Sequence, residues 1–330
     1  MRRRLFISDI HMGDTRSRKT DSPYGSLDEK EAARLGRFLT SSEARACDEL
    51  YVLGDFLDLW TTPIDVVPAT PAEILASPNN QPIVLGLRAW REAGKGLHYV
   101  AGNHDMQVTA EDLAPLGFTF HAAPVVDGAF RFSHGHEHSL FNGPDPAGRP
   151  RPFGYYITRF VAKLSERNKL RMVLRNPDDV LALATGGKRL GEAVYDVVVK
   201  EADLDEHAPI VESDGSSLVV GDIRPMFANL YEEWSAAGRG SAATAVTCEW
   251  DPWYGMPIEP GTIAIAGHSH SRVFNFNTSS RQIYVNTGAW EDKVAHYAVS
   301  WTDASHAYAA LYRWDGDHGV YVNKAGIAFT

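Results

Sequence analysis

The chain has 330 residues, enough for one large domain or two ordinary ones around a buried core. Hydrophobic residues make up 44% and charged residues 22%, a globular balance that excludes wholesale disorder. With 32 Lys+Arg against 42 Asp+Glu, the formal net charge of -10 excludes a general nucleic-acid coat protein, though not a local basic patch.

In chain order, the first third alternates short apolar runs with helical patterns. Leu5 to Ser8 is the first run and ends in Asp9-Ile10-His11. Ser26 opens a capping-box pattern with Glu29, and Leu35, Phe38 and Leu39 continue at helical spacing. Leu50 to Leu53 is the next run, then a helix around Ile83, Leu87 and Trp90, then His98 to Ala101. This order predicts an α/β sheet with parallel strands. Phe130-Arg131-Phe132 leads into Ser133-His134-Gly135. Residues 143–153 are rich in Gly, Pro and Arg and read as a linker, and residues 154–240 read as mostly helical. Ile263 to Ile265 returns to strand character, and the runs near 273, 283–285, 297–299 and 309–312 read as antiparallel strands. The expected organisation is a catalytic domain of residues 1–145 and 256–330, interrupted by a mainly helical insertion at 146–255.

Cys47 and Cys248 are too few and too far apart for a disulfide framework or a four-thiolate zinc site, and fit a reduced, cytoplasmic setting. The basic start Arg2-Arg3-Arg4 is followed by an apolar run that stops at Asp9, short of a signal peptide. Asn277-Thr278-Ser279 matches a glycosylation sequon, read as accidental without a secretion signal.

Five strand-like runs end abruptly in His, Asp or Asn. These ends are Asp9-Ile10-His11, Gly54-Asp55, Gly102-Asn103-His104-Asp105, His134-Gly135 and Gly267-His268-Ser269-His270. In open α/β sheets, ligands bind beyond the carboxyl ends of strands, so these groups should converge. Imidazole and carboxylate together suit Mn, Fe, Zn or Ni. The set of Asp9, His11, Asp55, Asn103, His134, His268 and His270 exceeds what one open metal site needs and suits two divalent ions. Each end alone is an ordinary turn; the ordered set is not.

That ordered set resembles the calcineurin-like metallophosphoesterase superfamily, over roughly residues 5–135 and 262–300. The resemblance implies a four-layer α/β/β/α sandwich with a two-metal site, Mn first among the metals named. Carried over, Asp9, His11 and His270 hold one metal, Asn103, His134 and His268 the other, and Asp55 bridges them. His104 matches the proton donor, and Asp58 the acid that orients it. The implied chemistry is in-line attack by a hydroxide bridging two cations. Residues Tyr51 to Trp60, the helical insertion and Asn286-Thr287-Gly288-Ala289-Trp290 are also similar to UDP-2,3-diacylglucosamine hydrolases, which cleave a pyrophosphate and hold acyl chains with their insertion. Those enzymes carry Arg in place of His104 and have a shorter insertion.

Substrate choice should lie in the insertion. Residues 147–200 carry 11 basic and 5 acidic residues, so the rest of the chain is strongly acidic. Arg159, Lys163, Arg167, Arg171 and Arg175 recur every fourth position, a basic ridge beside the apolar stripe Ile157, Phe160, Val161 and Leu164. Such a ridge predicts contact with an anionic phosphoester substrate or peripheral contact with anionic lipid, with a solvated helix face as the plain alternative. His136 and His138, at alternate positions after His134, are further substrate-binding candidates. The expected function is a two-metal phosphoester hydrolase of phosphodiesterase or pyrophosphatase type. A lipid pyrophosphate hydrolase, a phosphomonoesterase, a nuclease and a non-catalytic scaffold are the alternatives, and nucleic acid is disfavoured by the acidic body. Oligomeric state is left open.

Overall fold

A computed structural model describes residues 2–18, 27–163, 176–183, 189–291 and 293–329. Its strands, in chain order, are β1 (Arg3–Ile7), β2 (Glu49–Leu53), β3 (Gly96–Val100), β4 (Thr119–His121), β5 (Val125–Asp127), β6 (Phe130–Phe132), β7 (Pro209–Val211), β8 (Ser217–Val219), β9 (Ile263–Ala266), β10 (Val273–Asn277), β11 (Gln282–Asn286), β12 (Ala295–Thr302), β13 (His306–Trp314) and β14 (Gly319–Ala328). They form a seven-stranded sheet ordered β14-β13-β12-β1-β2-β3-β4, a five-stranded sheet ordered β10-β11-β9-β6-β5, and the small hairpin β7-β8.

The two large sheets stack because strands present alternate residues to opposite faces. Phe6, Tyr51, Leu53 and Val100 of the first sheet meet Phe130, Phe132, Ile263, Ile265, Ile283 and Val285 of the second in one apolar layer. Their neighbours Leu5, Ile7, Leu50 and Val52 face the other way, onto helices Glu29–Leu39 and Gln81–Glu92. Burial on both faces explains why these strands read as unbroken apolar runs. The outer face of the second sheet, Ala264, Ala266 and Tyr284, is covered by Trp253, Met256 and Ile258, which lie in and after the 3₁₀ turn Pro252–Tyr254. The fold is therefore α/β, with two stacked sheets.

Local chemistry sets the element ends. The first long helix is capped by Asp28, whose carboxylate accepts from Lys30 N at 2.7 Å and Glu31 N at 2.9 Å. Ser26, the expected cap, lies outside the described residues, as do Leu164, Arg167, Arg171 and Arg175 of the expected ridge. The Gly/Pro-rich stretch 143–153 is a pinned connection rather than a loose linker. Asp145 accepts from Ala147 N and Arg149 N, and the Arg149 guanidinium bridges Asp145 and Glu233.

Among the described residues of 146–255, the segment expected as an insertion, helices predominate, with Phe153–Val161, Leu190–Glu201 and Val220–Phe227 the largest, beside the hairpin β7-β8. Its apolar residues, Phe153, Tyr156, Phe160, Val194 and Phe227 among them, join the same continuous core as the helical side of the first sheet.

Candidate metal centre

The first three strands are parallel to one another, and β6 is parallel to β9. Their carboxyl ends meet at one edge of the stacked sheets. Asp9 and His11 follow β1, Asp55 follows β2, Asn103 and His104 follow β3, His134 follows β6, and His268 and His270 follow β9. The structure thus brings all seven predicted ligands and His104 together.

Two groups of donor atoms form around one shared carboxylate. His11 Nε2 lies 3.1 Å from His270 Nε2 and 3.6 Å from Asp55 Oδ2, and His270 Nε2 lies 3.4 Å from Asp9 Oδ1. The ligand atoms of Asp9, His11, Asp55 and His270 all lie within 4.8 Å of one another. On the other side, Asp55 Oδ2 lies 3.2 Å from His134 Nε2, which lies 3.0 Å from Asn103 Oδ1, which lies 3.1 Å from His268 Nδ1.

The remaining ring nitrogens show that this gathering fits cations. His134 Nδ1 donates to the Leu53 carbonyl at 2.7 Å, which leaves a bare lone pair on Nε2. Ser139 Oγ donates to the Cys248 carbonyl at 3.2 Å, so it accepts from His268 Nε2 at 2.9 Å, leaving the lone pair on Nδ1. With both rings neutral, two lone pairs and the Asn103 oxygen face one another, and without a cation only a proton taken up on His134 Nε2 can sit among them. A divalent ion satisfies such a set. On the other side His270 Nδ1 lies 3.1 Å from Glu291 Oε1, which turns Nε2 toward Asp9. Ser8 Oγ bonds the Asp9 carboxylate and lies 2.6 Å from Thr287 Oγ1.

The field in the site favours positive charge. Burial works against a charged His134, yet the Asp55 and Asp9 carboxylates outweigh it and push the imidazole up to about 10. Burial likewise opposes ionisation of Asp55, but His134 and His104 hold its carboxyl well below the ordinary range. A cation placed there takes over the role of those protons.

Backbone geometry is matched to the ligands. Asp9, His11, Asp55, His268 and His270 all have φ between 51° and 75°. The glycines beside them leave no room for a side chain. A Cβ at Gly102 would overlap the Asp55 carboxylate, and one at Gly267 the Asp9 carboxylate.

His104 is held on three sides. Its backbone N–H donates to Asp55 Oδ1 at 2.9 Å, its Nδ1 lies 3.0 Å from Asp58 Oδ1, and its ring stacks on Trp60 with centroids 4.7 Å apart. Burial opposes its charged form, but Asp55 and Asp58 together raise its pKa above the ordinary imidazole value. Asp58 in turn accepts from Trp60 N at 3.1 Å and Thr61 N at 2.9 Å. Asp105 clamps the turn, accepting from Gly102 N, Phe56 N and Leu57 N.

A cavity of about 400 Å³ opens on these groups. Asp55, Asn103, His104, His268 and His270 line one side, with Glu249 and Glu291 at hand. The insertion supplies an apolar wall of Ile157, Val180, Val194 and Trp250, with Phe141 beside them. The other substrate candidates lie elsewhere. His136 is buried against the rings of His134 and His268, and burial pushes it down to about 4. His138 sits on the 3₁₀ turn His136–His138 and does not line this cavity. Arg159 is fully buried and turned away, and Lys163 pairs with Asp65, so neither forms an exposed ridge over the cavity. Arg167 lies outside the described residues. Glu291 and Ser139 are the supporting residues that the motifs did not single out, although Glu291 directly follows the Asn286–Trp290 segment; Trp60 closes the Tyr51–Trp60 segment, which gave it no role.

Known proteins are similar to the chain over part of its length. The chain is 30% identical over 122 residues to a UDP-2,3-diacylglucosamine hydrolase from Aeromonas salmonicida, covering 37% of this chain and 39% of that protein. A UDP-2,3-diacylglucosamine hydrolase from Xanthomonas oryzae is 29% identical over 122 residues, covering 37% of this chain and 40% of that protein. The chain thus spans about two fifths of the length of the curated relatives it matches. Among solved structures, a dimetal phosphatase from Danio rerio aligns over 100% of this chain and 99% of its own, at 12% identity and a TM-score of 0.39. No protein-family model matches the chain. In its ordered ligand motifs and its curated matches, the chain is similar to the calcineurin-like metallophosphoesterases.

Proposed function

We propose that this chain is a two-metal phosphoester hydrolase. One observation carries the reading: bare imidazole, carboxylate and amide lone pairs converge on Asp55 beside a buried His104–Asp58 pair. Asp9, His11 and His270 would hold one divalent ion, Asn103, His134 and His268 the second, and Asp55 both. The mixed nitrogen and oxygen set suits Mn first, with Fe, Zn or Ni accommodated. When bound, such a pair of ions supplies Lewis-acid polarisation of a phosphoryl oxygen and an activated water.

The chain's own residues do the rest. Asp58 fixes Nδ1 of His104, so Nε2 is the nitrogen left to the cavity. A protonated His104 can stabilise charge on the leaving oxygen and give it the proton. Glu291 and Ser139 orient His270 and His268. The insertion wall excludes water from one side of the cavity.

The apolar wall also favours a lipid-like pyrophosphate or phosphodiester as a second reading, in keeping with the two hydrolase relatives. A nuclease has less support. Arg149, Arg151, Arg159, Lys163 and Arg224 of the insertion are all paired with carboxylates, so they form no bare basic stripe. No described helix is long and apolar enough to cross a membrane. We place the chain in the cytoplasm, with any membrane contact peripheral.

The test is metal analysis with a substrate panel on Mn-loaded protein: aryl phosphodiesters, monoesters and UDP-linked lipids. About two ions per chain are expected, with hydrolysis lost in Asp55→Ala and Asn103→Ala. A reconstituted protein that binds no transition metal, or full activity in both variants, overturns the reading.

A further inference from the structure

Among the described residues, Arg159 is the one arginine whose side chain is wholly buried, and it sits within residues 146–255 rather than on the sheet body. Its Nε donates to the Thr62 carbonyl at 3.1 Å, and Nη2 to the carbonyls of Pro63 at 2.9 Å and Val66 at 2.8 Å. Nη1 donates to the Val211 carbonyl at 2.8 Å and pairs with Glu212 Oε1 at 3.1 Å. A guanidinium has five N–H donors, and this set engages all of them.

Those three loop carbonyls lie two to six residues after Trp60. Asp58 holds His104 by its ring nitrogen and Trp60 stacks on the same ring. Tyr155, one turn before Arg159 on the same helix, sets its ring edge-on to Trp60, with centroids 5.7 Å apart and planes at 87°. Its hydroxyl donates to Glu212 Oε2 at 2.7 Å and accepts from Arg159 Nη1 at 3.1 Å. One buried ion pair thus ties the loop that clamps His104 to the helix whose Ile157 and Thr158 line the cavity.

We infer that Arg159 is a positioning residue for His104, acting through the Asp58–Trp60 segment, and that this link makes the insertion part of the proton-donating apparatus rather than a cover alone. The inference rests on the phosphoester-hydrolase reading for its catalytic consequence. A proton donor matters most when the leaving oxygen is basic. Loss of positioning should therefore fall unequally on substrates that differ only in leaving group.

The experiment compares full-length, Mn-loaded wild type with Arg159→Lys, Arg159→Met and Tyr155→Phe. Two phosphodiesters with the same phosphoryl group are used, one with a p-nitrophenyl leaving group and one with an alkyl leaving group. In the Arg159 variants kcat on the alkyl ester should fall about 10-fold or more, and on the p-nitrophenyl ester less than about 3-fold, with KM and bound metal unchanged. Equal losses on both esters, or no loss, overturns the inference. Arg159→Lys keeps a charge against Glu212 yet cannot fork across three carbonyls, so it serves where Arg159→Met does not fold. A second readout is the ring ¹⁵N signal of His104 in Zn-loaded protein. It should shift in Arg159→Lys while that of His134 stays, and an unmoved His104 signal overturns the tie. If wild type cleaves neither ester, the hydrolase reading fails, while the His104 signal still decides whether Arg159 positions that ring.

Discussion

Gly54 precedes the shared carboxylate Asp55, and Gly54→Ala should cripple metal binding more than its size suggests. A Cβ built there would lie 2.5 Å from His134 Nδ1, 2.6 Å from His134 Cγ and 2.7 Å from Gly102 Cα. Real Cβ atoms do not come closer than 3.0 Å, so the ring must move by about 0.5 Å. It has nowhere to go, because Nδ1 is bonded to the Leu53 carbonyl at 2.7 Å and Nε2 faces Asn103 at 3.0 Å. Backbone also blocks the way at Gly102. Gly54 has φ 76°, so Ala adds about 1–2 kcal/mol of left-handed strain to an overpacking cost of about 1–3 kcal/mol. Gly148 separates the two effects, having φ 78° with nothing within 4 Å of its Cβ position. Gly148→Ala should show the strain alone and normal metal content. Gly54→Ala should unfold earlier than Gly148→Ala and bind metal about 10–100-fold more weakly. Thermal unfolding and a chelator competition titration measure both. Equal unfolding temperatures in the two variants, together with wild-type metal affinity in Gly54→Ala, would refute the steric argument.

Other outcomes follow from the same geometry. Trp250→Ala opens the apolar wall and should raise KM for a substrate with a long apolar leaving group by about 10-fold, while a small aryl ester is little affected; equal effects on both would remove the wall from substrate recognition. Chelation should lower the unfolding temperature, because bound cations stabilise only the folded site, and an unchanged transition would count against a resident ion. At His296, burial and the guanidiniums of Arg272 and Arg313 push the imidazole down to about 4. The unfolded chain, titrating near ~6.5, takes that proton first, so this contribution to stability is intact above pH 6.5 and declines as pH falls toward 4. His296→Gln should flatten the slope of unfolding free energy in that window, and an unchanged slope refutes the assignment.

The site's residue types were legible because the candidate metal ligands punctuate strands. An apolar run that stops at Asp, Asn or His marks both the strand and its carboxyl end, and five such ends can converge only if the strands share an edge. The insertion resisted the same treatment for physical reasons. A four-residue period says that Arg159 and Lys163 lie on neighbouring parts of one helix, but not whether that face meets water. Glu212, more than fifty residues later, supplies the buried charge that draws Arg159 inward, and no local pattern announces such a pairing. The alternate spacing of His134, His136 and His138 does not by itself say where their rings point. Gly135 turns left-handed at φ 118° and opens the 3₁₀ turn His136–His138, so His136 packs against His134 while His138 stays off the cavity. Ser139 and Glu291 carry no signal of their own, since a single Ser or Glu beside a motif is ordinary surface chemistry until the fold aims it at an imidazole.

Backbone strain links the site to the rest of the molecule. Among the described residues, seven non-glycine positions have positive φ, and five of them are candidate metal ligands. Left-handed backbone costs an ordinary residue about 1–2 kcal/mol, less for Asp, so five together amount to several kcal/mol, on the order of a domain's whole stability. The offset comes from groups that touch no substrate. Trp290 N donates to the Asp9 carbonyl at 3.0 Å, His11 N donates to the Asp55 carbonyl at 2.9 Å, and Asp105 accepts three backbone N–H groups of the turns beside Asp55 and Asn103. These bonds hold the strand ends in the ligand-presenting shape before any cation arrives. The site is therefore preorganised by the protein fold, and cation binding is not spent on bending the chain. That division of labour explains why glycines and turn acids surround the ligands: they carry the geometry, and the ligands are left free to carry the charge.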